Sequence, residues 1–175
     1  MNIAMILAGG VGSRLGAAIP KQFIPVRGKP IIIHTLELFQ NDPEIDAIEI
    51  VCIRSHMDTI REMTSQYGIT KLRWVCEGGS SYQESVINGM NYLDPYCSDE
   101  DIVLIHFAVS PFVDEEIIND SIAVCKAHGN GISTNDSVLC LCTKDPQHPE
   151  RSALGVDRSQ VMGLNAPQTD RKSVV

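Results

Sequence analysis

Between Leu7 and Gly16 the chain reads Leu-Ala-Gly-Gly-Val-Gly-Ser-Arg-Leu-Gly, and three residues later Pro20-Lys21-Gln22 follows. Glycines at 9, 10 and 12 lack the Cβ atoms that hold a backbone away from a ligand. N–H groups along Leu7, Ala8, Gly9, Gly10 and Gly12 can therefore close on phosphate oxygens. Arg14 and Lys21 add two cations that make charge-assisted hydrogen bonds to the same anion. These are the parts of a cradle for linked phosphates, as in a nucleoside triphosphate. Two other phosphate loops do not fit. The dinucleotide fingerprint needs a third glycine where Leu15 stands, the Walker loop needs Gly-Lys-Ser/Thr where Gly16 precedes Ala17, and Pro20 cuts short any long helix.

Other reactive side chains give weaker signals. Six cysteines, Cys52, Cys76, Cys97, Cys125, Cys140 and Cys142, form no Cys-x-x-Cys pair and no metal spacing with histidine, so they are expected as reduced thiols, most of them in the core. His106 closes an apolar run and is expected to be structural. No protein metal ligands are expected. A net charge of -8 over 175 residues argues against binding nucleic acid or an anionic membrane. No run of eighteen apolar residues and no basic leader is present, which places the chain in the cytoplasm as an expectation.

Apolar runs at 2–8, 48–53 and 102–106, with a shorter one at 72–76, have the composition of strands buried on both faces. Helical patterns separate them. Pro30 opens one, Ser55 with Asp58 is expected to cap a second that Gly68 ends, Ser81 caps a third, and Asp114 caps a fourth that Gly129 closes. This alternation implies a three-layer α/β domain with an open, mostly parallel sheet, whose ligand lies beyond the carboxyl ends of the strands. After Gly131 the rhythm changes. Residues 137–142 alternate weakly, 145–150 are turn material and 154–158 return as a strand, which implies a projecting β-hairpin arm.

The glycine string, Pro20-Lys21-Gln22-Phe23, Gly28-Lys29-Pro30-Ile31, Gly78-Gly79, Ser85-Val86-x-x-Gly89 and Pro111-Phe112-Val113 occur in the order found in 2-C-methyl-D-erythritol 4-phosphate cytidylyltransferase and ribitol-5-phosphate cytidylyltransferase, and the chain resembles that family from Met1 to about Gln168. The resemblance implies a Rossmann-like nucleotidyltransferase fold and transfer of CMP from CTP to a polyol phosphate, with loss of pyrophosphate. It implies Mg²⁺ accompanying CTP. It casts Arg14 and Lys21 as triphosphate-binding residues that stabilise the transition state, Ala8, Gly9, Gly79 and Ser85 as the frame for cytosine and ribose, and Arg158 in Val156-Asp157-Arg158 as the grip on the acceptor phosphate. Ser137 stands where the family has a threonine near that phosphate. It also implies a homodimer, with the 137–160 arm reaching a neighbouring subunit.

The pattern breaks at the end of the fourth strand. His-Asp-Ala-x-Arg-Pro-Phe in the relatives is His106-Phe107-Ala108-Val109-Ser110-Pro111-Phe112 here, so the aspartate beside the ribose and the metal-bearing triphosphate is Phe107 and the arginine is Ser110. Tyr82 replaces a common arginine and Ser80 an acid, which alters the cytosine side. A non-catalytic nucleotide-binding relative, or an enzyme of this fold using another nucleotide or sugar phosphate, therefore stands as an alternative. The last six residues, Asp170 to Val175, match the translation of a common sequencing adapter. The expected domain is accordingly 1–169, lacking a C-terminal part that in the family carries a second lysine and an acid, with 170–175 as an artefactual tail.

Overall fold

The computed structural model describes residues 1–10 and 19–173. The first apolar run forms β1 (Asn2–Leu7), and after the 3-10 turn Lys21–Phe23 a small hairpin of β2 (Pro25–Val26) and β3 (Lys29–Pro30) leads into α1 (Ile31–Asn41). There follow β4 (Ala47–Cys52), α2 (Met57–Gln66), β5 (Leu72–Glu77), α3 (Tyr82–Leu93), β6 (Ile102–Phe107) and α4 (Glu115–His128). The last part is all strand: β7 (Asn130–Asp136), β8 (Leu141–Lys144), β9 (Ser152–Val156) and β10 (Met162–Arg171).

Six strands form one sheet in the order β5-β4-β1-β6-β10-β7. β5, β4, β1 and β6 run parallel, as helical crossovers require, and β10 lies antiparallel between β6 and β7. Alternate side chains leave the sheet on opposite faces. Ala4, Ile6, Ile48, Ile50 and Leu104 pack with Leu36 and Phe39 of α1, Ile60 of α2 and Ile118 and Ile122 of α4. Ile3, Met5, Val51 and Val103 pack with Val86, Met90 and Leu93 of α3 on the other side. A Cβ at Gly89 would lie 2.8 Å from Met5 Cε and 2.9 Å from Val51 Cγ2, so α3 comes as close to the sheet as it does only because that residue is glycine. The fold is the three-layer α/β arrangement read from the sequence.

Helix ends follow local chemistry. Ser81 accepts from Glu84 N at 3.1 Å, Asp114 accepts from Ile117 N at 2.9 Å, and Gly68 and Gly129 end their helices at positive φ. The cap expected from Ser55 and Asp58 does not form. Ser55 lies in a 3-10 turn, His56 precedes α2 without a side-chain cap, and Asp58 instead pairs with Arg61 at 3.2 Å.

Among the described residues β8 and β9 pair only with each other, giving the expected arm, with β8 starting later and β9 starting earlier than the alternation suggested. The two strands beside it, β7 and β10, were not read from the sequence. Asp170 and Arg171, assigned there to a tail outside the domain, pair with Val103 and Ile102 of β6. Of the cysteines, Cys52, Cys76 and Cys125 are buried, Cys97 is half-buried, Cys140 and Cys142 are exposed on the arm, and all are free thiols. No described helix is long and apolar enough to cross a membrane.

Candidate nucleotide site

A cavity of about 510 Å³ opens at the carboxyl ends of β1, β5 and β6. It is where a parallel sheet with reversed strand order presents a crevice. Leu7, Ala8, Gly9, Gly10, Lys21, Gly79 and Ser85, drawn from three separate stretches of sequence, all line it. Arg14 and Gly12 lie outside the described residues.

The backbone of the cradle divides into occupied and open groups. Ala8 N donates to Val51 O at 2.7 Å, Leu7 O accepts from Ala108 N at 3.0 Å, and Ala8 O accepts from Gln22 Nε2 at 3.0 Å. Ala8 thus shapes the floor with both of its polar groups already paired. The backbone of Gly9 and Gly10 lines the cavity, and among the described residues their N–H groups have no backbone acceptor. The Lys21 side chain lies over Gly10. A Cβ there would sit 3.1 Å from Lys21 Cε and 3.5 Å from its Nζ, so Gly10 gives the ammonium its place.

The opposite wall is the start of α3. Ser85 Oγ accepts from Gly79 N at 3.1 Å and donates to Ser81 O at 2.8 Å, so its proton is committed and the hydroxyl braces Gly79. Glu84 accepts from Ser80 N at 2.7 Å and Ser80 Oγ at 2.5 Å, and these bonds hold its carboxyl below the usual range. A Cβ on Gly79 would fall 2.1 Å from Glu84 Cβ, which forbids any larger residue without moving the helix start. The helix dipole points its positive end into the crevice from this wall.

The third wall is the turn after β6. Thr35 Oγ1 donates to Ala108 O at 2.9 Å and His106 Nε2 lies 3.0 Å from Ser110 O. A carbonyl only accepts, so His106 carries its proton on Nε2. Burial keeps the ring neutral by pushing its pKa down, and Nδ1 has no partner. The histidine is structural, as its position in the sequence suggested. Phe107 is part of the wall, its ring centroid 6.0 Å from that of Tyr82, whose hydroxyl donates to Gln168 Oε1 at 3.1 Å.

Among the described residues no carboxylate lines the cavity, and no three His, Cys, Asp or Glu side chains are grouped to hold a metal ion. Hydroxyls, one amide and an ammonium do not form a magnesium site. Arg158 is exposed in the 3-10 turn Arg158–Gln160 that follows the arm, and it does not line the cavity. Ser137 lies at the start of the arm with its hydroxyl 3.5 Å from Leu139 O. Gln22 was read only as part of a motif, yet it is 1% exposed and bonded to the cradle floor. Its place directly after Lys21 was the available signal. A second cavity of about 880 Å³ shares Phe107, Val109 and Ser110 with the first and adds Thr134 and Asn165.

The sequence profile of the 2-C-methyl-D-erythritol 4-phosphate cytidylyltransferase family matches residues 2–175. Ribitol-5-phosphate cytidylyltransferase of Vibrio parahaemolyticus is 42% identical over 170 residues, 97% of this chain and 71% of that protein. The protein of the same name from Lacticaseibacillus paracasei is 37% identical over 178 residues, covering all of this chain and 74% of its own length. Among solved structures, 4-diphosphocytidyl-2C-methyl-D-erythritol synthase of Anaerococcus prevotii superposes with a TM-score of 0.79 at 25% identity, over 99% of this chain and 71% of that one.

Proposed function

The chain belongs to the 2-C-methyl-D-erythritol 4-phosphate cytidylyltransferase family, and from that premise we propose that it transfers CMP from CTP to a small polyol phosphate of the ribitol 5-phosphate or 2-C-methyl-D-erythritol 4-phosphate type. The observation that carries this reading is the single cavity that gathers the backbone of Gly9 and Gly10, the Lys21 ammonium and the start of α3. One phosphate oxygen of the acceptor attacks the α-phosphorus of CTP. The new P–O bond forms as the bond from the α-phosphorus to the bridging oxygen breaks, and that oxygen leaves with pyrophosphate. An acceptor phosphate is already ionised near neutral pH, so no general base is required, which agrees with the structural part played by His106. The protein's work is positioning and charge neutralisation. Lys21 meets the charge that builds on the leaving phosphates, with Arg14 as its proposed companion. Leu7, Ala8 and Gly79 give the base and ribose their walls, and Ser85 braces Gly79.

Mg²⁺ enters, on this reading, as part of the CTP substrate, chelated by its own phosphates and water, because the cavity offers no carboxylate. The acceptor occupies the adjoining 880 Å³ cavity, and Arg158 grips its phosphate from the arm of a second subunit in a cytoplasmic homodimer. Exposed Val138, Leu139 and Leu154 on that arm support this pairing. Pyrophosphate release with CTP and each acceptor tests the proposal. Lys21→Ala is expected to lower kcat/KM at least ~100-fold, as loss of a transition-state donor does; no release with any acceptor overturns it.

Phe107 and Ser110 in the cavity wall favour a second reading, in which the site holds CTP without turning it over. Saturable CTP binding with no pyrophosphate release, restored by Phe107→Asp with Ser110→Arg, would establish that reading.

A further inference from the structure

Lys21 occupies a single 3-10 turn, and an ammonium on a flexible stem needs its backbone fixed to act at one place. Phe23 N donates to Pro20 O at 2.9 Å, and the Phe23 ring meets His56 edge-on at 5.0 Å, which ties the far side of the turn to the fold. The near side has one direct tie to the cradle: Gln22 Nε2 reaches back fourteen residues to Ala8 O at 3.0 Å. Ala8 N is itself bonded to Val51 O, so Gln22 couples the lysine turn to the end of β1 and through it to β4. The amide can face only one way, since a carbonyl opposite Ala8 O would repel. That orientation leaves Gln22 Oε1 buried without a hydrogen-bond partner among the described residues. An unpaired buried acceptor costs about 1–3 kcal/mol. A fold that only needed this volume filled would do better with an apolar side chain.

We propose that Gln22 is a positioning residue, whose hydrogen bond to Ala8 holds Lys21 over Gly10 and so aims the ammonium at the outer phosphates of the nucleotide. The inference rests on the nucleotide reading of this cavity and adds to it the device that sets the geometry of its cation.

Calorimetric titration of CTP and CMP into the wild-type chain, Gln22→Met, Gln22→Glu, Lys21→Ala and the double variant Lys21→Ala/Gln22→Met tests it. Methionine matches glutamine in length and packs readily, so that variant is expected to fold. It is expected to weaken CTP about tenfold, the scale of one buried hydrogen bond, and CMP less than about twofold. On the Lys21→Ala background the same change is expected to do nothing further, because a residue that acts through Lys21 has nothing left to position. Gln22→Glu is expected to bind CTP poorly at pH 8 and to recover relative to wild type toward pH 5, where a protonated carboxyl can again donate to Ala8 O. Equal losses for CTP and CMP, or an undiminished Gln22→Met penalty on the Lys21→Ala background, would overturn this inference alone. Failure of the wild-type chain to bind CTP would overturn the nucleotide reading and the inference with it.

Discussion

The two halves of the sheet differ in what holds them. β5, β4, β1 and β6 are covered on both faces, and six consecutive residues of β4 are buried. The arm of β8 and β9 is exposed along nearly its whole length, and β7 and β10 expose Ile132, Met162 and Leu164. The first half gets its order from a core it shares with helices, and the nucleotide cavity sits on the rim of that core. In the second half α4 packs on β7 and β10, with Ser121 Oγ 2.6 Å from Thr169 Oγ1, but the arm is held by its own backbone pairing. The described cavity walls thus rest on the core, while the arm that follows them does not.

Truncation tests the contrast most directly. Leu36→Ala in α1, a fully buried site, is expected to cost about 2–5 kcal/mol in denaturant unfolding, whereas Leu154→Ala on the arm should stay within about 0.5 kcal/mol. Equal losses would mean that the arm is as well packed as the core.

The core half also carries one internal liability. Glu49 of β4 is fully buried, its Oε1 accepts from the Cys76 thiol at 3.4 Å, and its Oε2 has no partner. Burial lifts its pKa from 4.5 to about 8, against a smaller lowering by the thiol. The folded chain therefore binds more protons than the unfolded one between those values. Stability from this group is full below pH 4.5 and declines as pH rises to about 8. Glu49→Gln removes the decline. Relative to wild type it should gain on the order of 2–3 kcal/mol at pH 8, raising Tm by roughly 5–10 °C, with little gain at pH 5. An identical Tm difference at both pH values would show that Glu49 does not titrate in this way.

The smallest effect is at the caps. Asp114→Ala removes the side-chain acceptor for Ile117 N at the start of a fourteen-residue helix and should cost about 1 kcal/mol. Asp157→Ala removes a similar bond to Ser159 N at 3.0 Å, but only in a three-residue exposed turn, and should cost less than about 0.5 kcal/mol. Thermal unfolding of the pair ranks the two regions by cooperativity.

The same division decided what the sequence could disclose. Strands buried on both faces need unbroken apolar runs, and four such runs fell within a residue or two of β1, β4, β5 and β6. The caps at Ser81 and Asp114 were legible because a side-chain oxygen at the right offset suffices. The Ser55 cap failed because the chain enters α2 through a 3-10 turn, a choice made by the packing of the preceding segment. β10 was invisible: Gly163, Asn165 and Pro167 oppose a strand locally, and only Pro167 and Thr169 are buried. Its pairing with β6 is a tertiary fact. In the site, the string from Leu7 to Gln22 pointed to the cavity, and Gly79 and Ser85 arrived there through the family resemblance. The role of Gln22 depended on an interior hydrogen bond, and the enclosing role of Phe107 and Tyr82 on the approach of two distant rings, neither of which spacing encodes.

The insertion of β10 between β6 and β7 bears on how the molecule is made. Neighbouring strands sit about 4.8 Å apart. In the finished sheet β7 therefore lies two strand spacings from β6, and only the later residues of β10 can bridge them. Residues 162–171 do so, antiparallel to both neighbours. Without them the inner edge of β6 is an unpaired strand edge, the kind that invites pairing with another chain.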